Sequence, residues 1–466
     1  MTNWRPDPAQ LSRPVYRSLA RAITDAIGNG SLRPGDRLPT HRDLAHALGV
    51  SVQTVSRAYD ALIRADLLAG TVGRGTFVKH APVDGRASPY QQLAADDPII
   101  DCSMLTPVTG PLHQQAMDAT LAGLAGTTPP EVLVSFRPRQ ALQRHSERAL
   151  QWLRICGLDV RADCVLPTNG ATGAMTVALM AAVPPGGTVL AETMGHHTLQ
   201  ALTRYLGLKL TGVTCDGQGM IPEALDAACR GGNHTARALY LVSARNSPLN
   251  TEMGPDRRRA LVAVAVRHGL FIIENDAWGP LQPDRPAPLF TLAPEHVFYF
   301  TSLTKCLLPG LRLGWLVMPE GQAAAAFGRH QATAWMATAL IAEIGSRWIA
   351  DGTAEDLLNW QRIQLSHRNA LARHCLAGLP MRGHPHGLHV WLPLSEAWDE
   401  NAFVNSARLR GVAVAPGHAF NLGPGKPPER GVRICLGGGS ESTLEEALTT
   451  LARLARSLPE PEFLAI

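Results

Sequence analysis

The sequence predicts an α/β protein with a largely parallel β-sheet, preceded by a small helical module that ends in a β-hairpin. Its 466 residues exceed one typical domain, and 45% hydrophobic with 18% charged residues is typical of a sizeable globular core. Beyond residue 98, short apolar runs that favour strands alternate with runs that favour helices, which indicates a parallel sheet covered on both faces. A stretch of small residues and proline at 81–89 separates the two parts.

We therefore expect four segments along the chain. The N-terminal module takes residues 1–80, a linker 81–97, a large domain 98–330, and a smaller, more helical α/β domain 331–466. One helix of the large domain is predicted at 255–268. The predicted strands of this domain are 189–191, 238–242, 270–273, 297–300 and 313–317.

Composition indicates a cytoplasmic protein without a metal site. No run approaches the roughly 18 apolar residues that span a bilayer, and the first residues do not resemble a signal peptide. The eight cysteines are scattered without metal-ligand spacing, as expected of reduced thiols. His384, His386 and His389 lie close together, but no nearby Cys, Asp or Glu completes a ligand set, so we expect loop histidines.

The N-terminal module carries the charge and the spacing of a DNA-binding unit. Residues 1–80 hold a net charge of +5 and the rest of the chain −1, an asymmetry typical of a module that binds a polyanion. Thr40 is suited to cap a helix with Asp43, Gly49 to end it, and Ser51 to cap the next one after a short turn. In that second helix the expected core residues are Val52, Val55, Ala58, Tyr59 and Leu62, and those left for DNA are Gln53, Thr54, Ser56 and Arg57.

A predicted hairpin completes this module and carries a family resemblance. Residues 67–78 read as two strands with Arg74 at a glycine-flanked tip suited to a minor groove. The stretch of about 65 residues from Pro14-Val15-Tyr16 to 73–78 resembles the GntR family of winged helix-turn-helix regulators, and its most specific part is the pattern at 30–40, Gly-Ser-Leu-Arg-Pro-Gly-Asp-Arg-Leu-Pro-Thr. That resemblance implies that DNA is contacted by Arg42, Thr54, Arg57 and Arg74. The alternative is a helical interaction domain with solvated arginines.

Two motifs in the large domain suit a phosphorylated aldehyde. The turn Thr168-Asn169-Gly170 opens a helix whose N-terminal amides and dipole favour a phosphate. Lys305 follows a buried strand in a neighbourhood of low charge, where desolvation makes an amine nucleophilic. Ser302 and Arg312 bracket it with a hydroxyl and a fixed cation, and both suit a phosphate.

This constellation resembles fold-type I enzymes of the aspartate aminotransferase group, which use pyridoxal 5'-phosphate (PLP). The resemblance makes Lys305 the Schiff-base lysine and Arg433 the clamp for a substrate α-carboxylate. Asn246 matches the asparagine that bonds the cofactor's phenolic oxygen, although the inserted Ser247 leaves open which residue fills that place. The implied phosphate ligands are Gly170, Ala171, Thr172, Ser302 and Arg312.

Three departures from the group bear on activity. Asn275 stands where the enzymes have the aspartate that keeps the pyridine nitrogen protonated, with Asp276 as the alternative partner after a local shift. Trp278 replaces the tyrosine and has no hydroxyl, and His196 stands at the ring-stacking aromatic position. These changes weaken transamination more than PLP binding, because a neutral amide makes the ring a poorer electron sink.

The order of the two modules, a winged helix followed by an aminotransferase-like domain, resembles that of the MocR subgroup of GntR regulators. This implies a homodimer that binds operator DNA through two winged helices and responds to PLP and an amine or amino-acid effector at Lys305. Two other functions stay open from the sequence. One is a PLP-dependent aminotransferase with an accessory DNA-binding head, and the other is a DNA-binding protein whose inactive second domain serves for dimerisation.

Overall fold

The chain divides into two compact units, residues 1–95 and 96–466. A computed structural model describes residues 4–6, 14–28, 31–32, 35–64, 67–71, 75–78, 99–136, 139–231, 236–423 and 427–459. In the first unit, the described elements are α1 (Val15–Gly28), α2 (His41–Leu48), α3 (Val52–Arg64), β1 (Leu68–Thr71) and β2 (Gly75–Val78). The antiparallel pair β1–β2 forms the predicted hairpin, while Arg74 lies outside the described residues.

The helix ends of the first unit follow the predicted caps. Thr40 Oγ1 accepts from the backbone N–H of Asp43 at 3.2 Å, and Gly49 ends α2 with a φ of 65°. Ser51 Oγ accepts from the backbone N–H of Thr54 at 3.1 Å, at the start of α3. The predicted pair of capped helices joined by a short turn is therefore confirmed.

A small hydrophobic core joins the helices of this unit. Val55, Tyr59 and Leu62 are buried in it, and the Tyr59 hydroxyl donates to the carbonyl of Pro39 at 2.9 Å. The prediction that Val52 also faces this core was wrong, because 47% of its surface is exposed. Val52 is the first residue of α3 and lies one turn before Val55, beyond the part of the helix that packs against its neighbours.

The second unit is an α/β body, as predicted. Its strands are β3 (Ile100–Asp101), β4 (Val165–Thr168), β5 (Thr188–Glu192), β6 (Lys209–Val213), β7 (Cys215–Asp216), β8 (Gly219–Met220), β9 (Ala236–Val242), β10 (Phe271–Asn275), β11 (Val297–Ser302), β12 (Gly314–Val317), β13 (His389–Pro393), β14 (Val412–Ala413), β15 (Ala415–Pro416) and β16 (Gly431–Cys435). Its helices are α4 (Pro111–Leu124), α5 (Pro130–Val134), α6 (Arg139–Ile155), α7 (Gly170–Ala182), α8 (His197–Tyr205), α9 (Pro222–Arg230), α10 (Pro255–Arg267), α11 (Ala323–Ala334), α12 (Ala339–Ala350), α13 (Thr353–Cys375), α14 (Glu400–Leu409) and α15 (Glu441–Arg456).

A seven-stranded sheet forms the centre of the body, in the order β4-β12-β11-β10-β9-β5-β6. β12 pairs antiparallel with both of its neighbours, and the other described pairings in this sheet are parallel. The five predicted strands correspond to β5, β9, β10, β11 and β12. Residues on the central strands are buried on both faces, because helices cover the sheet on either side.

A second hydrophobic cluster lies in the C-terminal part of the body. It is built mainly from α14, α15 and the strands β13 and β16, together with the end of α13 from Ala372 onward. Cys102 belongs to this cluster, since β3 pairs with β14. Residue 330, after which we expected the domain boundary, lies within α11. The next helix, α12, still packs into the hydrophobic core around the central sheet. No helix within the described ranges is long and apolar enough to cross a membrane.

Candidate functional site

A cavity of about 170 Å³ lies where the parallel strands of the central sheet end. β10 ends at Asn275, β11 ends at Ser302, and β4 leads directly into α7. Crevices at the carboxyl ends of parallel strands are the usual ligand sites of α/β proteins, since side chains from neighbouring loops converge there. The lining residues are Ala171, Thr172, Met175, His196, His197, Thr198, Asn275, Ala277, Trp278, Phe300, Ser302, Thr304, Lys305 and Arg312.

One end of the cavity has the groups that a phosphate needs. Gly170 opens α7 with a φ of 72°, and a Cβ there would lie 3.2 Å from Nη2 of Arg312. The buried hydroxyls of Ser302 and Thr304 have no hydrogen-bond partner among the described residues. Unpaired buried hydroxyls beside a guanidinium and a helix N-terminus are suited to bind a dianion.

Lys305 supplies the single amine of this cavity. It lies in the turn after β11, and its Nζ donates to the carbonyl of Leu105. Burial lowers the pKa of Lys305 to about 8, and the charges of Arg433 and Arg312 add to that effect. More of this amine than of an ordinary lysine is therefore unprotonated near neutral pH, which favours its action as a nucleophile.

His196 and His197 form an aromatic wall. Their ring centroids are 5.1 Å apart with an interplanar angle of 18°. Burial lowers the pKa of His196 well below its ordinary value, with further contributions from His197, Lys305 and Arg433. The His196 ring is therefore neutral at neutral pH, so it offers a flat face without adding charge.

Asn275, and not Asp276, lines the cavity. The Asn275 amide donates to the hydroxyl of Tyr240 at 2.7 Å and accepts from the backbone N–H of Ala277 at 3.1 Å. The Asp276 side chain is buried elsewhere, in an ion pair with Arg285 at 2.8 Å and a hydrogen bond from the Tyr299 hydroxyl. Of the two alternatives that the sequence left open, the structure brings the neutral amide to the cavity.

Trp278 forms part of the cavity wall, and its indole nitrogen is hydrogen-bonded to the backbone. The indole Nε1 donates to the carbonyl of Ala244 at 2.7 Å. The side chain therefore contributes an apolar surface and no donor for a ligand, consistent with the departure noted in the sequence.

Asn246 is not among the lining residues. Its amide donates to Glu192 Oε2 at 3.2 Å, and its oxygen accepts from the Thr251 hydroxyl at 2.7 Å. The adjacent Ser247 Oγ instead accepts from Arg433 Nη1 at 3.1 Å. Ser247 is the residue inserted beside Asn246, and its hydroxyl contacts the predicted carboxylate-binding arginine.

Arg433 lies on β16 with 3% of its surface exposed. Its Nη2 donates to the carbonyl of Ser103 at 2.7 Å, and its guanidinium carbon lies 4.6 Å from the ring centroid of Phe420. Arg433 Nε has no hydrogen-bond partner among the described residues. Ser103 and Thr304 are further site residues that sequence reasoning missed, since Ser103 acts through its backbone and Thr304 lacks a motif of its own.

Apart from Arg74, which lies outside the described residues, the predicted DNA-contacting residues of the first unit lie on α2 and α3. Arg42, Gln53 and Arg57 are exposed, while Thr54 and Ser56 are half-buried. The Arg57 guanidinium lies 5.5 Å from the centroid of the Tyr16 ring, which holds it beside Thr54 at the α1–α3 surface. The exposed Val52 extends this surface toward the start of α3.

Taken together, the cavity residues fit PLP. Two unpaired hydroxyls, Arg312 and the α7 N-terminus suit its phosphate, and Lys305 suits its aldehyde. Residues 116–451 match the family model "Aminotransferase class I and II", which is about 70% of the chain. The chain belongs to this family. It is a PLP-dependent family, and the predicted α/β fold is thereby confirmed.

The N-terminal unit matches a second model. Residues 15–78 match "Bacterial regulatory proteins, gntR family", so the predicted fusion of a GntR-type head with an aminotransferase-like body is confirmed. The chain is similar over nearly its whole length to curated regulators. One is the uncharacterized HTH-type transcriptional regulator YdeF of Bacillus subtilis, 28% identical over 98% of this chain and 97% of the relative.

Two further relatives are named for pyridoxine or vitamin B6. The "HTH-type pyridoxine biosynthesis transcriptional regulator PdxR" of Corynebacterium glutamicum is 26% identical, over 96% of this chain and 95% of the relative. The "Vitamin B6 salvage pathway transcriptional repressor PtsJ" of Salmonella typhimurium is 27% identical, over 92% and 95%. Among solved structures, the Pyrococcus horikoshii kynurenine aminotransferase has a TM-score of 0.71 at 20% identity, covering 80% of this chain and 95% of that one, which shows the shared fold.

Proposed function

We propose that this chain is a cytoplasmic, DNA-binding transcriptional regulator whose aminotransferase-like body binds PLP and senses an amine or amino acid through Lys305. The observation that carries the proposal is the coexistence of a GntR-type head with a cavity that keeps both the lysine and the phosphate-binding groups. The similarity to PdxR, a pyridoxine biosynthesis regulator, and to PtsJ, a vitamin B6 salvage pathway repressor, supports it.

The cavity residues divide the tasks of holding the cofactor. Ser302, Thr304 and Arg312 bind the phosphate, together with the N-terminal amides of α7 at Ala171 and Thr172. When bound, PLP supplies an aldehyde that condenses reversibly with amines. Lys305 is the group that meets the aldehyde, and its lowered pKa leaves it partly unprotonated for that purpose.

Arg433 is the proposed recognition group for an effector carboxylate. It is buried, it lies near enough to Lys305 to lower the pKa of that amine, and its guanidinium is held in place by Ser103 and Ser247. A carboxylate offers charge-assisted hydrogen bonds to this guanidinium, stronger than those from a neutral carbonyl or hydroxyl. The effector class that fits is an amino compound carrying a carboxylate.

Asn275 explains why sensing is favoured over turnover. A neutral amide in the cavity gives no electrostatic support to a protonated pyridine nitrogen, whereas a carboxylate raises the pKa of a neighbouring cation by about 1–3 units. The retained lysine and phosphate-binding groups preserve binding in spite of this loss.

We expect Asn275→Asp to increase amino-acid-dependent conversion of bound PLP, measured as keto-acid formation in a single-turnover assay. The Tyr240 hydroxyl, now an acceptor from Asn275, can donate to the new carboxylate, so the substitution keeps the local hydrogen bond. Asn401→Asp, near the start of α14, is the control and should leave the rate unchanged. Two results would favour another role for Asn275. One is an Asn275→Asp protein that reacts no faster than the unsubstituted protein, and the other is an unsubstituted protein that already forms keto acid rapidly.

In the head, we expect Arg57→Ala to weaken operator binding by about 1–3 kcal/mol, or roughly 5- to 150-fold, if Arg57 reads a base edge. Arg57 is exposed on the second helix of the helix-turn-helix and is held over Tyr16. Affinity is measured on the DNA upstream of the chain's own gene and on an unrelated duplex of equal length. A loss confined to the operator supports base readout, an equal loss on both indicates a phosphate contact, and undiminished binding to both rejects a role for Arg57.

A homodimer completes the proposal, because a dimer carries two winged helices that can bind the two half-sites of one operator. Exposed apolar side chains at and beyond α5 support it: Leu133, Val134 and Phe136 are 66%, 82% and 81% exposed. Contiguous exposed apolar surface of this kind is typical of a protein interface. Sedimentation of the PLP-loaded protein would measure the assembly, and a monomer at micromolar concentration contradicts this part of the proposal.

A further inference from the structure

The first turn of α3 exposes an apolar side chain that the fold of the head does not use. Val52 is 47% exposed and takes no part in the described hydrophobic core of the first unit, whereas Val50, two residues earlier, packs against that core. A β-branched residue also forms helices less readily than most straight-chain residues. Neither packing nor helix propensity therefore accounts for a valine at this position.

Two large apolar side chains are exposed among the described residues of the first unit, and they lie at opposite ends of α3. Ile63, which is 39% exposed, is one residue from the C-terminal end of the helix. Val52 is the first residue of the helix and directly follows the Ser51 cap. In a helix-turn-helix, the N-terminal residues of the second helix reach base edges in the major groove. Val52 therefore lies at the end of α3 that contacts bases, and Ile63 lies at the other end.

Polar side chains surround Val52 at the start of α3. Gln53 and Arg57 are exposed and lie four residues apart, on neighbouring turns of one helix face. Thr54 Oγ1 lies 2.8 Å from Ser51 Oγ, so this hydroxyl belongs to the cap of the helix. A rise of about 1.5 Å per residue separates Val52 from Arg57 by about 7.5 Å along the helix, which is roughly two base-pair steps of about 3.4 Å. The two side chains can therefore reach different base pairs of one half-site.

An isopropyl group discriminates among the four bases because it neither donates nor accepts a hydrogen bond. Against the acceptors of guanine and adenine, or the amino group of cytosine, it removes water from a polar group and offers no hydrogen bond in return. Thymine alone among the four presents a methyl group in the major groove, at C5. Contact between the two apolar groups buries surface that water otherwise covers, and the stiff χ1 angle of valine means that little rotamer freedom is lost.

We propose that Val52 contacts the C5-methyl group of a thymine in each half-site of the operator, roughly two base pairs from the position that Arg57 contacts. Val52 is then a specificity-determining residue that selects thymine over the other three bases at that position. This inference rests on the DNA-binding part of the proposed function and not on PLP binding or effector sensing. A contact between Val52 and the sugar–phosphate backbone does not depend on a thymine methyl group, so an experiment separates the two.

The test removes the methyl group from the DNA as well as from the protein. Footprinting of the full chain on the DNA upstream of its own gene locates the protected half-sites, and each thymine in them is replaced in turn by deoxyuridine, which lacks only the C5-methyl group. We expect one thymine per half-site whose replacement weakens binding by the unsubstituted chain roughly fourfold, the equivalent of one methyl group that is no longer buried. Deoxyuridine outside the protected half-sites should leave the affinity unchanged.

Val52→Ala should weaken binding to the unmodified operator roughly four- to fifteenfold, because it removes two methyl groups. In this variant the same deoxyuridine should cause no further loss, since the partner of the thymine methyl group is gone, and this non-additivity identifies the contacting pair. Ile63→Ala, the matched control at the other end of α3, should keep the fourfold preference for thymine over deoxyuridine. Far-ultraviolet circular dichroism and thermal unfolding of both variants should match those of the unsubstituted chain, because both side chains are exposed.

Three results overturn the assignment of Val52. One is an operator in which deoxyuridine replaces every thymine of the half-sites, one at a time, without loss of affinity. Another is a deoxyuridine effect that Val52→Ala leaves unchanged, which assigns the methyl group to another side chain. The third is a Val52→Ala loss that is equal on an unrelated duplex, which indicates a sugar–phosphate contact. A chain that does not bind the DNA upstream of its gene contradicts the proposed function and this inference together, whereas binding without a methyl effect contradicts the inference alone.

Discussion

Lys305→Ala is expected to abolish the visible absorbance that the protein acquires on incubation with PLP, with the far-ultraviolet circular dichroism unchanged. Lys305 supplies the single amine among the lining residues of the cavity, so no neighbouring side chain replaces it. The fold should persist, since the substitution removes one half-buried side chain from a turn and leaves the strands β11 and β12 intact. The measurement is the visible absorbance of the protein after dialysis, with and without prior incubation with PLP.

The chain offers a clean control for this experiment because it contains only four lysines. Lys209 is exposed at the start of β6, away from the cavity, and Lys79 and Lys426 lie outside the described residues. Lys209→Ala should retain the full absorbance. If Lys305→Ala kept the absorbance, or if borohydride reduction fixed the cofactor to another of the four lysines, the site would be misassigned.

Arg312→Ala is expected to raise the dissociation constant of PLP roughly 10- to 150-fold, the equivalent of about 1.5–3 kcal/mol for a hydrogen bond to a charged group. The guanidinium lies at the α7 N-terminus beside Gly170, where the buried hydroxyls of Ser302 and Thr304 are unpaired. Removing the cation leaves those hydroxyls and the helix N-terminus to hold the phosphate without a full positive charge.

Pyridoxal, which has the aldehyde but no phosphate, tells this effect apart from general damage to the cavity. Arg312→Ala should leave the affinity for pyridoxal nearly unchanged while weakening PLP, and Arg373→Ala, on the exposed face of α13, should alter neither. Equal losses for PLP and pyridoxal would show that Arg312 shapes the cavity and does not bind the phosphate.

Local signals in the sequence predicted much of this molecule. The caps at Thr40 and Gly49 depend on contacts within one turn, so they can be predicted from neighbouring residues. The buried strands are continuous apolar runs, and the motif around Lys305 combines a strand end with a hydroxyl and an arginine a few residues away. These features are encoded over short stretches of chain.

Features decided by residues distant in sequence were not predictable. The Asp276 side chain lies outside the cavity because Arg285 and Tyr299 bind its carboxylate. No motif around Asp276 in the sequence indicates those partners. The Asn246 amide donates to Glu192 on β5, and the neighbouring Ser247 hydroxyl accepts from Arg433. Similarly, the pairing of β3 with β14 joins residue 100 to the C-terminal cluster across more than 300 residues.

The central claim is that occupancy of the Lys305 cavity changes DNA binding by the head. The most direct measurement titrates the purified full chain on the DNA upstream of its own gene, with no cofactor, with PLP, and with PLP plus candidate amino acids. The account predicts that the operator dissociation constant changes on adding PLP or PLP with an amino acid, and that Lys305→Ala removes the change while still binding DNA. Operator affinity that is identical under all three conditions, in a protein that visibly carries PLP, would contradict it.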